Sequence, residues 1–295
     1  MSDDVAALLD RQGGVATTAQ LLNVLSRSRL DTRIRTGELL KVWPGVYSGA
    51  EPDDGIRLRG LDLRAGEPVA MCLATAAAAY GFDTEGGVDL HVLNPEGHQL
   101  RASDGLVIHR REGVPLTVIG GRPAAAPAWT AVEVARALRR PRALATLDAA
   151  LRSGTCDRAG LLDAVSDQHG RRGIVHVREL VPHADARAES PMESEARLVM
   201  RDGGLSAPEL QYEIVDLYGR LWRVDFAWPG SELAVECDGY DWHSDPASFA
   251  LDRQKRAALQ EMGWIVLSIV ADDIRRRAQD LVRRIDVEIT RSRAA

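Results

Sequence analysis

The stretch from Leu221 to Asp238, LWRVDFAWPGSELAVECD, constrains this chain more than any other. Pro229-Gly230-Ser231-Glu232 supplies turn chemistry, and each flank alternates apolar with polar residues, the pattern of an antiparallel hairpin. With those four residues as the loop, counting sets the register. Trp228 faces Leu233, Phe226 faces Val235 and Val224 faces Cys237, so one face is apolar. On the other face Asp225 opposes Glu236 and Arg223 opposes Asp238. Like charges set directly opposite each other, about 5 Å apart at Cβ, destabilise a sheet. Asp238 shares that face, two residues beyond Glu236. Three converging carboxylates suit a hard divalent cation such as Mg2+ or Mn2+. A solvated face partly neutralised by Arg223 explains the same pattern, and spacing leaves both readings open.

At 295 residues the chain is long enough for two or three domains with substantial cores. A net charge of −6 rules out a general polycation, so any contact with nucleic acid must come from local patches. Lysine occurs only at Lys41 and Lys255 while arginine is abundant, which reads as base bias in the gene. Cys72, Cys156 and Cys237 are odd in number and far apart, against a disulfide framework or a C-x-x-C zinc site. MSDDVAALLD is acidic without a long apolar run, so no signal peptide is expected. With no apolar stretch of 18 residues, no membrane partner is expected either, and the expectation is a reduced, cytoplasmic protein.

Residues 1–50 read as a winged helix-turn-helix. Val5–Leu9 is amphipathic; Thr17 or Thr18 caps TTAQLLNVL; SRLDTRIRTG forms a third helix stopped by Gly37. LLKVWPGVYSG gives two small strands around Pro44-Gly45. Ser28, Arg29, Thr32, Arg33 and Arg35 then lie on or near a recognition helix, with Lys41 at the wing. Such residues suit phosphate and base-edge contacts with double-stranded DNA, although scattered arginines also simply solvate a helix. The run carried by Val15, Thr17, Gln20, Leu21, Leu22, Ser26, Leu30, Arg33, Gly37, Leu40, Val42, Pro44, Gly45, Val46 and Tyr47 resembles the N-terminal domain of AbiE-type (type IV) antitoxins. The resemblance implies operator binding, self-regulated transcription and a cognate toxin as partner.

Residues 56–185 read as a mixed α/β connector after a linker at Glu51–Gly55. Pro68–Tyr80 is an alanine-rich helix, VDLHVLNP and GLVIHRREG are strands, and Ala128–Leu138, Arg142–Ser153, Asp157–Gln168 and Ile174–Val181 are helices. No chemistry is expected there: His91, His109, His169, His176 and His183 lack ligand spacing.

Residues 188–295 carry the chemistry. Ser190, Pro191 and Glu193 form a helix start that explains Glu193 without any function. Leu210–Leu217 adds a strand, Asp245-Pro246 opens a helix to Met262, WIVLSIV is a buried strand, and Asp272–Thr290 is a final helix. The pattern S-P-x-E … V-D-F-A-W-P … L-A-V-E-x-D-G-x-x-x-H … D-R-x-x-R … G-W-x-V-L resembles a domain-of-unknown-function family close to very-short-patch-repair (Vsr-like) endonucleases of the PD-(D/E)XK superfamily. What the resemblance implies is a metal-dependent DNA phosphodiester hydrolase. Glu193 would be the helix acid; Asp225, Glu236 and Asp238 would hold Mg2+ (or Mn2+); His243 would assist proton transfer and Arg253 would clamp phosphate. Asp238 stands where the superfamily has its lysine, with Arg223 as a replacement or as a plain cross-strand partner of Asp238.

The expected fold class is thus multi-domain α/β: an N-terminal winged helix-turn-helix, a mixed α/β connector, and a PD-(D/E)XK-like mixed sheet flanked by helices. The rival to an endonuclease is an antitoxin-type transcriptional regulator whose nuclease fold is inactive.

Overall fold

In the computed structural model, residues 3–85, 87–97, 99–239 and 246–293 are described. They form a mixed α/β, multi-domain chain with two units, Met1–Ala79 with Gly86–Ala126, and Tyr80–Glu85 with Pro127–Ala295.

The first unit opens with α1 (Asp3–Arg11), β1 (Val15–Thr17), α2 (Thr18–Leu22), α3 (Arg27–Arg35), β2 (Leu40–Trp43) and β3 (Val46–Ser48). The strands make one antiparallel sheet in the order β1-β3-β2. Thr17 and Gln20 cap α2 reciprocally, each backbone N–H meeting the other's side-chain oxygen, and the Ser26 hydroxyl accepts the Arg29 N–H at the start of α3. Val5, Leu9, Leu21, Leu25, Leu30 and Leu39 close a core beneath them. β1 was not legible, since VAT alone is too short to alternate.

Beyond this, α4 (Asp54–Ala65) occupies the stretch whose start reads as a linker. Asp53 is its N-cap, accepting the Ile56 N–H at 2.7 Å, and Gly66 ends it with φ 76°. α5 (Leu73–Ala79) is shorter than the alanine-rich run suggests, because Met71 bridges to Val92 and to Ala124 as extended chain. β4 (Leu90–Leu93) and β5 (Leu106–His109) pair in parallel, placing the His91 and His109 ring nitrogens 3.0 Å apart. β6 (Leu116–Ile119) and β7 (Arg122–Ala125) form a hairpin turning at Gly120-Gly121, both with positive φ.

The second unit begins with four helices, α6 (Pro127–Ala135), α7 (Arg140–Arg152), α8 (Arg158–Asp167) and α9 (Ile174–Leu180). α10 (Pro191–Asp202) leads into β8 (Glu209–Val215), β9 (Leu221–Trp228), β10 (Leu233–Cys237), α11 (Pro246–Glu261), β11 (Ile265–Ile269), α12 (Ala271–Arg275) and α13 (Ala278–Arg293). The sheet order is β11-β10-β9-β8, with β10 and β11 parallel and the other pairs antiparallel. α12 and α13 divide what the sequence reads as one helix.

The β9–β10 register is the counted one as far as Trp228–Leu233 and Phe226–Val235. There the regular ladder stops. Gln211 of β8, which would face Asp225, has φ 51°, a left-handed conformation costing roughly 1–2 kcal/mol for a side chain with a Cβ. The two faces of β9 exchange at this point. Phe226 and Trp228 join a core with Met200, Leu281 and Ile285, whereas Trp222 and Val224 join another with Ile214, Ala234 and Leu259. Val224, Phe226 and Trp228 therefore do not share one face, as strict alternation requires.

Candidate functional site

Two places on the chain carry chemistry, one in each unit. In the first, α3 displays Ser28, Arg29, Thr32 and Arg35 as exposed residues, and Lys41 is exposed on β2. Arg27, in the first turn and absent from the sequence reading, is exposed as well. Arg33 departs from expectation: its side chain is largely buried and lies 3.7 Å from Glu38, so it is a structural ion pair rather than a free contact. Thr32 donates its hydroxyl to the Ser28 carbonyl at 2.9 Å.

In the second unit a cleft of about 710 Å3 opens between the sheet and α11, lined by Asp225, Glu236, Asp238, Asp252, Arg253, Lys255 and Arg256. β9 and β10 bring Asp225 and Glu236 to it because the ladder between them is broken. In place of backbone pairing, the Asp225 Oδ2 accepts the Cys237 N–H at 2.8 Å. Glu193, buried in the first turn of α10, lies near enough to act on Asp225 electrostatically; its Oε2 accepts the Glu189 N–H at 2.9 Å and the Gln211 Nε2 at 2.8 Å. Asp238 is exposed at the rim, its own N–H held by the Ile269 carbonyl.

Arg223 does not face Asp238. It pairs with Glu213 in the sheet, and its guanidinium donates to Glu189 at 2.8 Å. The cation paired with Glu236 is Lys255, whose Nζ lies 2.5 Å from Glu236 Oε1. Lys255 sits one turn before Leu259, which anchors α11 in the core, so both side chains turn towards the sheet. That i,i+4 spacing was the available signal. Arg253 lines the same cleft, and Arg256 donates to Ser268 Oγ. His243 lies outside the described residues.

The expected metal cage is not assembled. Among the described residues no three His, Cys, Asp or Glu side chains converge as a metal-binding group. Hard carboxylate oxygens suit a divalent ion chemically, but Asp225 accepts the Cys237 N–H, Glu236 is paired with Lys255, and Asp238 is exposed at the rim.

Burial, reinforced by Glu236 and Glu193 and only partly opposed by the Cys237 N–H and Lys255, pushes the Asp225 carboxyl up to about 6. Glu236 is also raised, chiefly by burial, despite its ion pair with Lys255. A raised acid costs the fold when it ionises. The cost of Asp225 is absent below its unfolded value near pH 4 and complete above about pH 7. Asp225→Asn is expected to gain much less over the parent at pH 4.5 than at pH 8, where it should be more stable by about 2 kcal/mol. Urea melts at the two pH values test this; a pH-independent difference would count against it.

A family profile described as AbiEi antitoxin C-terminal domain matches residues 69–183, the segment for which the sequence suggested no role. "Uncharacterized protein Rv2248" and "Uncharacterized protein MT2308", from two strains of Mycobacterium tuberculosis, are each 54% identical over 271 residues, covering 92% of this chain and 100% of theirs. The crystal structure of RV2827C protein from Mycobacterium tuberculosis aligns with 66% of this chain and 79% of its own at 17% identity and a TM-score of 0.44. No helix among the described residues is long and apolar enough to cross a membrane.

Proposed function

This chain belongs to the family of the Mycobacterium tuberculosis protein Rv2248, and from that premise we propose that it is a DNA-binding transcriptional regulator of antitoxin type, with a cognate toxin as partner. The observation that carries the reading is the match of residues 69–183 to an antitoxin domain. It follows directly on a three-helix, three-stranded unit whose arrangement supports a winged helix-turn-helix. In that reading α3 enters the major groove, where Arg27, Arg29 and Arg35 meet phosphates and base edges, and Lys41 on the wing meets the backbone. The test is binding of the full-length protein to the DNA upstream of its own reading frame, with a reporter read in parallel. Saturable, sequence-preferring binding and repression support the proposal; binding indistinguishable from that to unrelated DNA, with no repression, overturns it.

A second reading is favoured by the cleft. Carboxylates from two adjacent strands, a buried helix acid and the α11 cations Arg253, Lys255 and Arg256 suit phosphodiester hydrolysis on a PD-(D/E)XK-like sheet. A bound Mg2+ or Mn2+ would supply an activated water and neutralise developing charge. The chain's own groups would hold and orient: Asp225 and Glu236 at the cation, Arg253 on the phosphate. Supercoiled plasmid with Mg2+ or Mn2+ tests it. Nicking that survives unchanged in Asp225→Ala and Glu236→Ala would assign the activity to a contaminant.

A further inference from the structure

We propose that Asp31 sets the base preference of the α3 surface by accepting a hydrogen bond from the exocyclic amine of a cytosine in the major groove. The inference rests on the regulator reading above and names what lets that site tell one sequence from another. On α3 the core side is Leu30, with Ile34 packed against the same cluster, and Ser28, Arg29, Asp31, Thr32 and Arg35 are exposed. Asp31 is the one acid in a helix that carries four arginines, Arg27, Arg29, Arg33 and Arg35. Arg27 and Arg35 stand four residues away on either side, the spacing at which helical ion pairs form. Neither is paired with Asp31 among the described residues, whereas Glu38, just beyond the helix, is taken up by Arg33. An ionised carboxylate is an acceptor only, and between two rows of phosphates it is repelled by any duplex. It recovers that loss only against a donor. In the major groove cytosine N4 and adenine N6 are the donors, while guanine and thymine present acceptors. Adenine also sets its N7 acceptor beside the amine, where it meets the second carboxylate oxygen; cytosine has only carbon there. The exposed arginines therefore supply affinity for any DNA, and Asp31 subtracts from it except where a cytosine stands opposite.

The experiment selects duplexes from a randomised pool with the full-length parent, Asp31→Ala and Asp31→Asn. Asp31 is exposed, so both variants should fold and melt as the parent does. The parent is expected to enrich a motif with a fixed cytosine. Asp31→Ala should lose the constraint at that one position and keep the rest of the motif. Asp31→Asn should move the preference to adenine, whose N6 and N7 an amide engages together. Titrations of the parent's selected duplex and of an unrelated one give the size of the effect. Asp31→Ala is expected to bind the unrelated duplex more tightly and the selected one no better, lowering the specificity ratio roughly tenfold. Replacing the fixed cytosine in the duplex should cost the parent about tenfold in affinity and Asp31→Ala less than about twofold. The same motif selected by parent and Asp31→Ala, or affinity raised by one factor for both duplexes, overturns the proposal and leaves Asp31 a solvated charge. A parent that enriches no motif removes the regulator reading and the inference with it, so the two failures are told apart by the parent alone.

Discussion

Glu195→Gln is expected to destabilise the second unit by about 3 kcal/mol, lowering its melting temperature by roughly 6–12 °C. Glu195, on α10, is 1% exposed. Arg275 grips it from α12 with two hydrogen bonds of 2.9 and 2.8 Å. Arg142 of α7 approaches at 3.4 Å and Arg139 at 3.7 Å. Burial by itself would raise the carboxyl, but the Arg275 hydrogen bonds and charge, with Arg139 and Arg142, outweigh it and hold the group below its usual range. The sign follows: this stabilisation is in place above the unfolded value near pH 4.3, and it is lost as pH falls through the lowered folded value. Gln keeps the shape and removes the charge, leaving the largely buried Arg142 with Asp83 at 2.8 Å and Glu85 at 3.6 Å. Thermal and acid unfolding should show both a lower melting point and a shallower acid limb. Arg283→Gln, which breaks an exposed pair with Asp280, should cost less than about 0.5 kcal/mol. Equal effects from the two substitutions would refute this account of the network.

Replacing Arg29 and Arg35 together with Ala is expected to weaken DNA binding by roughly 50-fold. The salt dependence should also flatten, by nearly two in the log–log slope if both side chains meet phosphates. Both are exposed on α3 and can leave without disturbing the core. Arg33→Ala should behave differently. Its side chain is inside, paired to Glu38, so the substitution should lower the melting temperature and leave the salt slope of the folded protein unchanged. Titrations of a labelled upstream fragment at several salt concentrations separate the two outcomes. A slope unaltered in the double variant would remove α3 from the interface.

Local chemistry made much of this chain legible. Pro229 to Glu232 set the hairpin register, Ser190 and Pro191 set the start of α10, and Gly and Pro punctuation placed α7, α8 and α9 within a few residues. What could not be read depended on distant partners. The face exchange on β9 lies opposite Gln211, which is in a left-handed conformation and donates its side-chain amide to Glu193, eighteen residues earlier. The counted opposition of Arg223 and Asp238 failed because the β9–β10 ladder ends at Phe226–Val235, where the Asp225 carboxylate takes the Cys237 N–H, and Arg223 meets Glu213 and Glu189 instead. Lys255 was dismissed on composition; its role emerges only when Leu259 fixes the rotation of α11 over the sheet. The middle segment looked inert because the partners of its buried charges are distant in sequence, Asp148 meeting Arg197 of α10 and Arg142 meeting both Asp83 and Glu195.

The last of these features bears on how the gene can be cut and traded. Arg142 on α7 reaches Glu195, and Asp148 on α7 receives Arg197, so α7 and α10 are bound by complementary ions that cross any boundary near residue 185. A fragment starting at residue 188 would leave the Arg197 guanidinium without Asp148, and one ending at residue 183 would leave the buried Asp148 carboxylate without Arg197. Recombination between relatives should therefore succeed when the helices from Pro127 onward travel with the sheet, and yield insoluble chimaeras when they are separated.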